Sequence, residues 1–114
     1  MTTAISTPIV LPASAVASVP SAPLGPEGVS HQVLWSDGCS MAGVIRVEAG
    51  HRLGLHAHRS NDHHLWVLEG RATILDQELP SGSYAYEPCG VTHDIDATGT
   101  EGCTVFYLYV RPAP

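Results

Sequence analysis

The sequence contains no lysine, and its five basic residues are all arginines, against eleven aspartate and glutamate residues. The formal net charge of −6 leaves little basic surface for nucleic acid or an anionic membrane, so neither is expected as a partner. No hydrophobic run is long enough to cross a bilayer, and residues 1–20 lack the basic start of a secretory signal. These absences predict a cytoplasmic protein.

Cysteine is also scarce. Cys39, Cys89 and Cys103 are an odd number, lie far apart and form no C-x-x-C motif, so a disulfide framework is not expected and a reducing compartment is favoured. A length of 114 residues suits one domain with its own hydrophobic core.

Helical periodicity is missing as well. Short runs rich in β-branched and aromatic residues recur instead, separated by turn pairs such as Asp37-Gly38. This pattern predicts an all-β antiparallel sandwich or barrel, for example a jelly roll. A turn is expected at Glu69-Gly70, and the last strand, the most apolar, is expected to be buried on both faces. The predicted strands are residues 31–36, 39–48, 52–57, 63–68, 71–75, 83–87, 93–97 and 103–110.

Residues 1–30 differ from the rest in being rich in alanine, serine and proline. The prolines exclude a long helix, so we expect an extended, partly irregular segment that packs on a sheet edge or on a neighbouring subunit, with a flexible tail as the alternative. Residues 31–114 then form the β-barrel domain. The proline-rich start and the exposed sheet edges together predict a homodimer.

Histidines dominate residues 50–70, which contain five of the seven in the chain. Alternate residues of a strand share a face, so His56 and His58 point the same way, roughly 6–7 Å apart, and can converge on one metal ion. A turn at residues 59–62 brings either His63 or His64 alongside, because only one of these neighbours can face the ion in a regular strand. A fourth ligand has to come from elsewhere, and His93 follows a Pro-Cys-Gly turn that can present it.

Two spacings in this region resemble the motifs of the cupin superfamily. Gly50-x5-His56-x-His58-x4-His63-x6-Gly70 resembles the first motif, G-x5-H-x-H-x3,4-E-x6-G. Gly82-x5-Pro88-x-Gly90-x2-His93 resembles the second, G-x5-P-x-G-x2-H-x3-N, with Ala97 in place of the asparagine.

The resemblance implies a small jelly-roll barrel with a metal near one mouth. It also implies that His56, His58 and His93 are ligands, with His63 where most cupins have glutamate. Six residues separate His63 from Gly70, and this spacing favours His63 over His64. The set therefore resembles that of the four-histidine cupins.

Four neutral ligands leave a divalent ion with a charge of +2, which favours an anionic partner such as an enolate or a phenolate. Imidazole ligands are compatible with zinc, iron, nickel or manganese, and the sequence does not choose among them. We expect an enzyme acting on a small carbonyl, enol or phenolic substrate, either as a dioxygenase or as a polyketide-cyclase-like enzyme. The alternative is a non-catalytic metal- or ligand-binding cupin sensor.

Some further residues are candidates for the surroundings of the ion. Glu87, Asp94 or Asp96 could orient a ligand imidazole, although a solvated loop charge is the commoner role, and Cys89 is expected to be an inert small residue. Apolar and aromatic candidates for the pocket, for most of which plain core packing is the simpler explanation, are Trp66, Tyr84, Tyr86, Phe106, Leu108 and Tyr109.

Overall fold

The computed structural model describes residues 7–54, 61–97 and 101–112. Within these ranges, one short helix precedes the sheet, and all strand pairs are antiparallel. This architecture confirms the predicted all-β class. The elements are α1 (Ala13–Ser18), β1 (Ala22–Pro23), β2 (Val29–Ser36), β3 (Met41–Val47), β4 (Asp62–Ile74), β5 (Gln77–Pro80), β6 (Tyr84–Glu87), β7 (Ile95–Asp96) and β8 (Cys103–Val110).

The sheet runs in the order β1-β2-β3-β8-β4-β5, and β4 also pairs with β6 and β7. The last strand, β8, therefore lies in the middle of the sheet, between β3 and β4. Its residues alternate between fully and partly buried, so the prediction that it is buried on both faces is wrong. One face of β8 packs into the core, and the other covers the outside of the barrel.

The long strand β4 connects two groups of strands in the barrel because its two halves pair with different neighbours. Its first half pairs with β6 and its second half with β5 and β7. The predicted turn at Glu69-Gly70 is instead an irregularity within one continuous strand, where the pairing register with β8 shifts between Val67 and Glu69. Gly70 has φ +73°, and a Cβ atom there would collide with the carbonyl oxygen of Gly102. A glycine is therefore required where β4 bends.

The segment before β2 is more ordered than an extended chain. A six-residue helix forms between Pro12 and Pro20, in a proline-free stretch of alanine, serine and valine that the sequence argument had assigned to irregular structure. The Gln32 side chain donates hydrogen bonds to the carbonyl oxygens of Val16 and Val19, which fastens this helix to the outer face of β2. The short strand β1 then pairs with the edge of β2.

Two other predicted strands are only partly regular in the residues that the structure describes. Within residues 52–54, Arg52 forms an isolated β-bridge to Asp96, and Leu53 donates a backbone hydrogen bond to Ile95. Gly54 follows with φ +97°, which ends the extended run, and residues 55–57 lie outside the described part of the chain. In residues 93–97, only Ile95–Asp96 is a regular strand.

No helix in the described ranges has the length and apolar character needed to cross a membrane.

Candidate metal centre

The inward-facing side chains of four neighbouring strands form rows across the inside of the barrel. In one row, Met41 of β3 pairs with Tyr109 of β8, Tyr109 pairs with His63 of β4, and His63 pairs with Glu87 of β6. The next row is made of Gly43, Tyr107, Leu65 and Ala85. The polar groups of the sheet interior are therefore concentrated in one row, beside an apolar and aromatic one.

His93 joins this row from a loop. The turn before it closes with a hydrogen bond from the backbone N–H of Val91 to the carbonyl oxygen of Pro88, and Gly90 adopts φ +88° within it. The Nδ1 atom of His93 lies 3.1 Å from the carbonyl oxygen of Val91. Donation of a proton across that contact leaves Nε2 of His93 as the lone-pair nitrogen, and Nε2 is the atom that faces Glu87.

The three side chains meet inside the barrel. Oε1 of Glu87 lies 3.5 Å from Nε2 of His93 and 4.0 Å from Nδ1 of His63. The rings of His63 and His93 have centroids 5.1 Å apart. His63 and Glu87 are 1% exposed and His93 is 4% exposed, so all three ionisable groups are withdrawn from solvent.

Glu87 is the most unusual member of the group. Neither carboxylate oxygen accepts a hydrogen bond from the described residues, although both oxygens are buried. Burial raises the pKa of Glu87 from its ordinary value of 4.5 to about 7. A buried carboxylate in this setting is stabilised by a proton or by a cation.

The donor set fits a metal ion. One ligand atom from each of His63, Glu87 and His93 can be chosen so that all lie within 4.8 Å of one another. Two donors about 2.1 Å from one ion are about 3.4 Å apart at a tetrahedral angle and at most about 4.2 Å apart. The observed 3.5 and 4.0 Å separations fall within these limits. Two imidazoles and a carboxylate are also a usual ligand set for divalent zinc, iron or manganese.

The structure brings together two of the four histidines predicted as ligands. His63 and His93 lie in the cluster, whereas His56 and His58 fall outside the described residues. His64 lies on the opposite face of β4, with its Nδ1 2.6 Å from the hydroxyl of Tyr84. The prediction that His63, rather than His64, faces inward is confirmed by the burial of His63.

Glu87 belongs to the cluster, whereas the sequence argument assigned it at most the role of orienting a ligand imidazole, with a solvated loop charge as the commoner role. Alternation along the strand was the one signal present, and it does not say which of the two faces points inward. Residues 85 and 87 share one face of β6, and residues 84 and 86 share the other. Tyr84 and Tyr86, which were candidates for the pocket, lie on the outer face instead, 49% and 46% exposed, and Glu87 therefore faces inward.

Most of the predicted pocket residues lie outside the barrel. Trp66 is 36% exposed and packs against the rings of Tyr84 and Phe106 on the outer face. Leu108 is on the same face of β8 as Phe106, because the two alternate with buried residues. Of that set, Tyr109 alone faces inward, and the interior gains Tyr107, which the sequence argument did not include.

The other acidic candidates have different roles. Asp94 accepts hydrogen bonds from the Arg52 side chain and from the backbone N–H of Gly54. Asp96 lies 3.5 Å from the Arg52 guanidinium. These contacts fasten the loop carrying His93 to residues 52–54 and keep both carboxylates out of the cluster. Among the described residues, Cys89 is likewise not part of it.

Comparison with known proteins identifies the same fold. The family model of the ChrR cupin-like domain matches residues 9–111. An RmlC-like cupin from Shewanella frigidimarina superposes with a TM-score of 0.73 at 23% identity, covering 85% of this chain and 86% of that one. A predicted oxalate decarboxylase from Thermotoga maritima gives 0.78 at 16% identity, covering 91% and 100%.

The anti-sigma factor ChrR of Rhodobacter sphaeroides, solved in complex with SigE, gives a TM-score of 0.71 at 20% identity. The match covers 82% of this chain and 49% of that chain. At these identities the structural matches show the fold alone. No curated protein matches the sequence.

Proposed function

The chain belongs to the cupin family of ChrR cupin-like domains, and from that premise we propose that it is a metal-dependent protein binding one divalent cation inside the barrel. His63 and His93 are the proposed imidazole ligands from the described residues, with His56 and His58 completing the histidine set. Oε1 of Glu87 is the proposed anionic ligand. Zinc, iron, nickel and manganese are all compatible with these donors.

The observation that carries this proposal is the buried carboxylate of Glu87 facing two buried imidazoles. Desolvation penalises an ionised carboxylate that accepts no hydrogen bond, by several kcal/mol. A divalent cation between Glu87, His63 and His93 removes that penalty, because each ligand then donates a lone pair to a positive charge. Inclusion of Glu87 also lowers the net charge of the site from +2 to +1.

Metal analysis of the purified protein tests the proposal. The wild type is expected to hold close to one equivalent of metal after exhaustive dialysis, measured by mass spectrometry of the elements. His93→Ala is expected to lose most of it, and Glu87→Gln to bind more weakly in competition with a chelator. His64→Ala and Glu48→Gln are matched controls, because His64 lies on the outer face and Glu48 is exposed. Retention of metal by His93→Ala would refute the assignment.

We further propose that the site acts on a small carbonyl, enol or phenolic compound. The bound cation would polarise a substrate oxygen and stabilise its anion. The two oxygens of Glu87 have different surroundings: Oε1 faces both imidazoles, which leaves Oε2 to accept the proton released as the substrate ionises. The stacked aromatic rings of Tyr109, in the same row as His63, and of Tyr107, in the next row, supply an apolar wall.

A panel of small diketones, aryl ketones and phenols, tested in air and under argon, separates the possible chemistries. Oxygen uptake with substrate loss identifies a dioxygenase, and turnover under argon identifies a cyclase or isomerase. Glu87→Gln is expected to lower the turnover number at saturating metal, which separates proton transfer from metal loss. Equal turnover by this variant and the wild type would exclude Glu87 as the proton acceptor.

A non-catalytic sensor is the second candidate, and the match to the ChrR cupin-like domain favours it. Tight metal binding with no turnover of any compound in the panel, in air or under argon, would support this candidate over the enzyme.

A further inference from the structure

We propose that Tyr109 is a positioning residue that holds the imidazole plane of His63, and thereby the direction of its metal-binding lone pair. The two rings are stacked, with centroids 3.6 Å apart and planes inclined by 16°. They are direct cross-strand partners on β8 and β4, so the backbone pairing itself brings them face to face. This inference rests on the proposed function, because it assumes that His63 binds the cation.

The plane of an imidazole matters because the nitrogen lone pair lies in that plane. A ligand ring must therefore contain the ion in its own plane to bind it well. Rotation about the bond between Cβ and the ring is soft, since that torsion has a broad energy profile in histidine. A flat ring packed at 3.6 Å on one face of His63 restricts this rotation to small angles.

The ring of Tyr109 also packs against a second aromatic ring. The ring of Tyr107 stacks on it, with centroids 4.4 Å apart and planes inclined by 29°. Tyr107 lies over Gly43, its partner on β3, where any Cβ atom would collide with the Tyr107 hydroxyl. The absence of a side chain at Gly43 thus makes room for Tyr107, which stacks on Tyr109, and Tyr109 in turn stacks on His63.

His93 is oriented instead by a backbone contact. Its Nδ1 contacts the carbonyl oxygen of Val91 at 3.1 Å, a backbone contact of the kind that commonly fixes a ligand histidine. The two imidazoles of the cluster are therefore fixed in complementary ways, one by a hydrogen bond in the ring plane and one by a ring stacked against its face.

Cobalt(II) binding tests the inference, because the visible spectrum of the bound ion reports ligand geometry independently of any activity. Tyr109→Phe keeps the ring and is expected to bind cobalt within about twofold of the wild type, with the same spectrum. Tyr109→Leu removes the ring and is expected to bind about tenfold more weakly or worse, the size of effect seen when the orienting partner of a metal ligand is lost, with altered band positions. Tyr84→Leu is the control, because Tyr84 contacts His64 on the outer face.

Tyr107→Leu provides a second variant that leaves both His63 and Tyr109 in place, and a smaller loss of affinity with a similar spectral change is expected. Wild-type affinity and spectrum in Tyr109→Leu would overturn the inference while leaving the metal site intact. If Tyr109→Leu does not fold, an unaltered spectrum in Tyr107→Leu overturns it instead. A wild-type protein that binds no cobalt would overturn the proposed function, and this inference with it.

Discussion

Replacing Glu87 by glutamine removes a negative charge from the interior of the metal-free barrel while preserving the size of the side chain. Burial raises the pKa of Glu87 from 4.5 to about 7, so the folded protein binds this proton more tightly than the unfolded chain. The resulting stabilisation is complete below pH 4.5 and is lost as the pH rises through about 7. At 1.36 kcal/mol per pKa unit, the loss amounts to about 3 kcal/mol.

Urea unfolding of the metal-free protein with a chelator, at pH 5 and pH 8, measures this quantity. Glu87→Gln is expected to exceed the wild type by about 3 kcal/mol in free energy of unfolding at pH 8 and by less than about 1 kcal/mol at pH 5. The nearby titratable groups His63 and His93 are common to both proteins, and Glu48→Gln controls for loss of a carboxylate at the surface. Saturation with zinc should reverse the order, because the wild type then gains a ligand. A metal-free variant no more stable than the wild type at pH 8 would refute the reasoning.

Three other predictions follow from the same site and fold. His63→Ala should reduce metal content far more than His64→Ala in elemental analysis, and the reverse would overturn the assignment of the inner face. Acidification from pH 7.5 to pH 5 should weaken binding of the ion, because protons compete with the metal for the ligand nitrogens and a protonated imidazole cannot ligate; a metal affinity that does not change over this range would count against histidine ligands. The protein should sediment with twice the mass of one chain, and a monomer mass would exclude the homodimer.

The sequence predicted correctly those features of the fold and the site that are determined by residues close together in the chain. The turn at Asp37-Gly38 is of this kind, with Asp37 Oδ1 accepting backbone hydrogen bonds from Cys39 and Ser40. So is the inward direction of His63, which follows from the two-residue period of a strand. The spacing of the second motif also predicted that His93, thirty residues further along the chain, lies near His63.

The place of Glu87 inside the cluster, rather than behind a ligand imidazole, was not predicted because it depends on strand pairing. A carboxylate between an aromatic residue and Pro88 gives no local sign of burial, and acidic residues are seldom buried without a partner. Its inward direction follows only from the register that places Glu87 opposite His63. The bend of β4 at Gly70 was missed for a related reason, since glycine at a strand end and glycine at a bulge look alike in sequence.

The central position of β8 affects the order in which the molecule can be assembled. Residues 103–110 are synthesised after the other strands. The edges of β3 and β4 that pair with β8 therefore have unpaired backbone N–H and C=O groups until β8 inserts between them. Tyr109 lies on the same segment, so the ring of His63 gains this stacking contact only when β8 docks. The proposed cation site is therefore completed only when β8 docks, and before that step the open edges of β3 and β4 are most exposed to pairing with another chain.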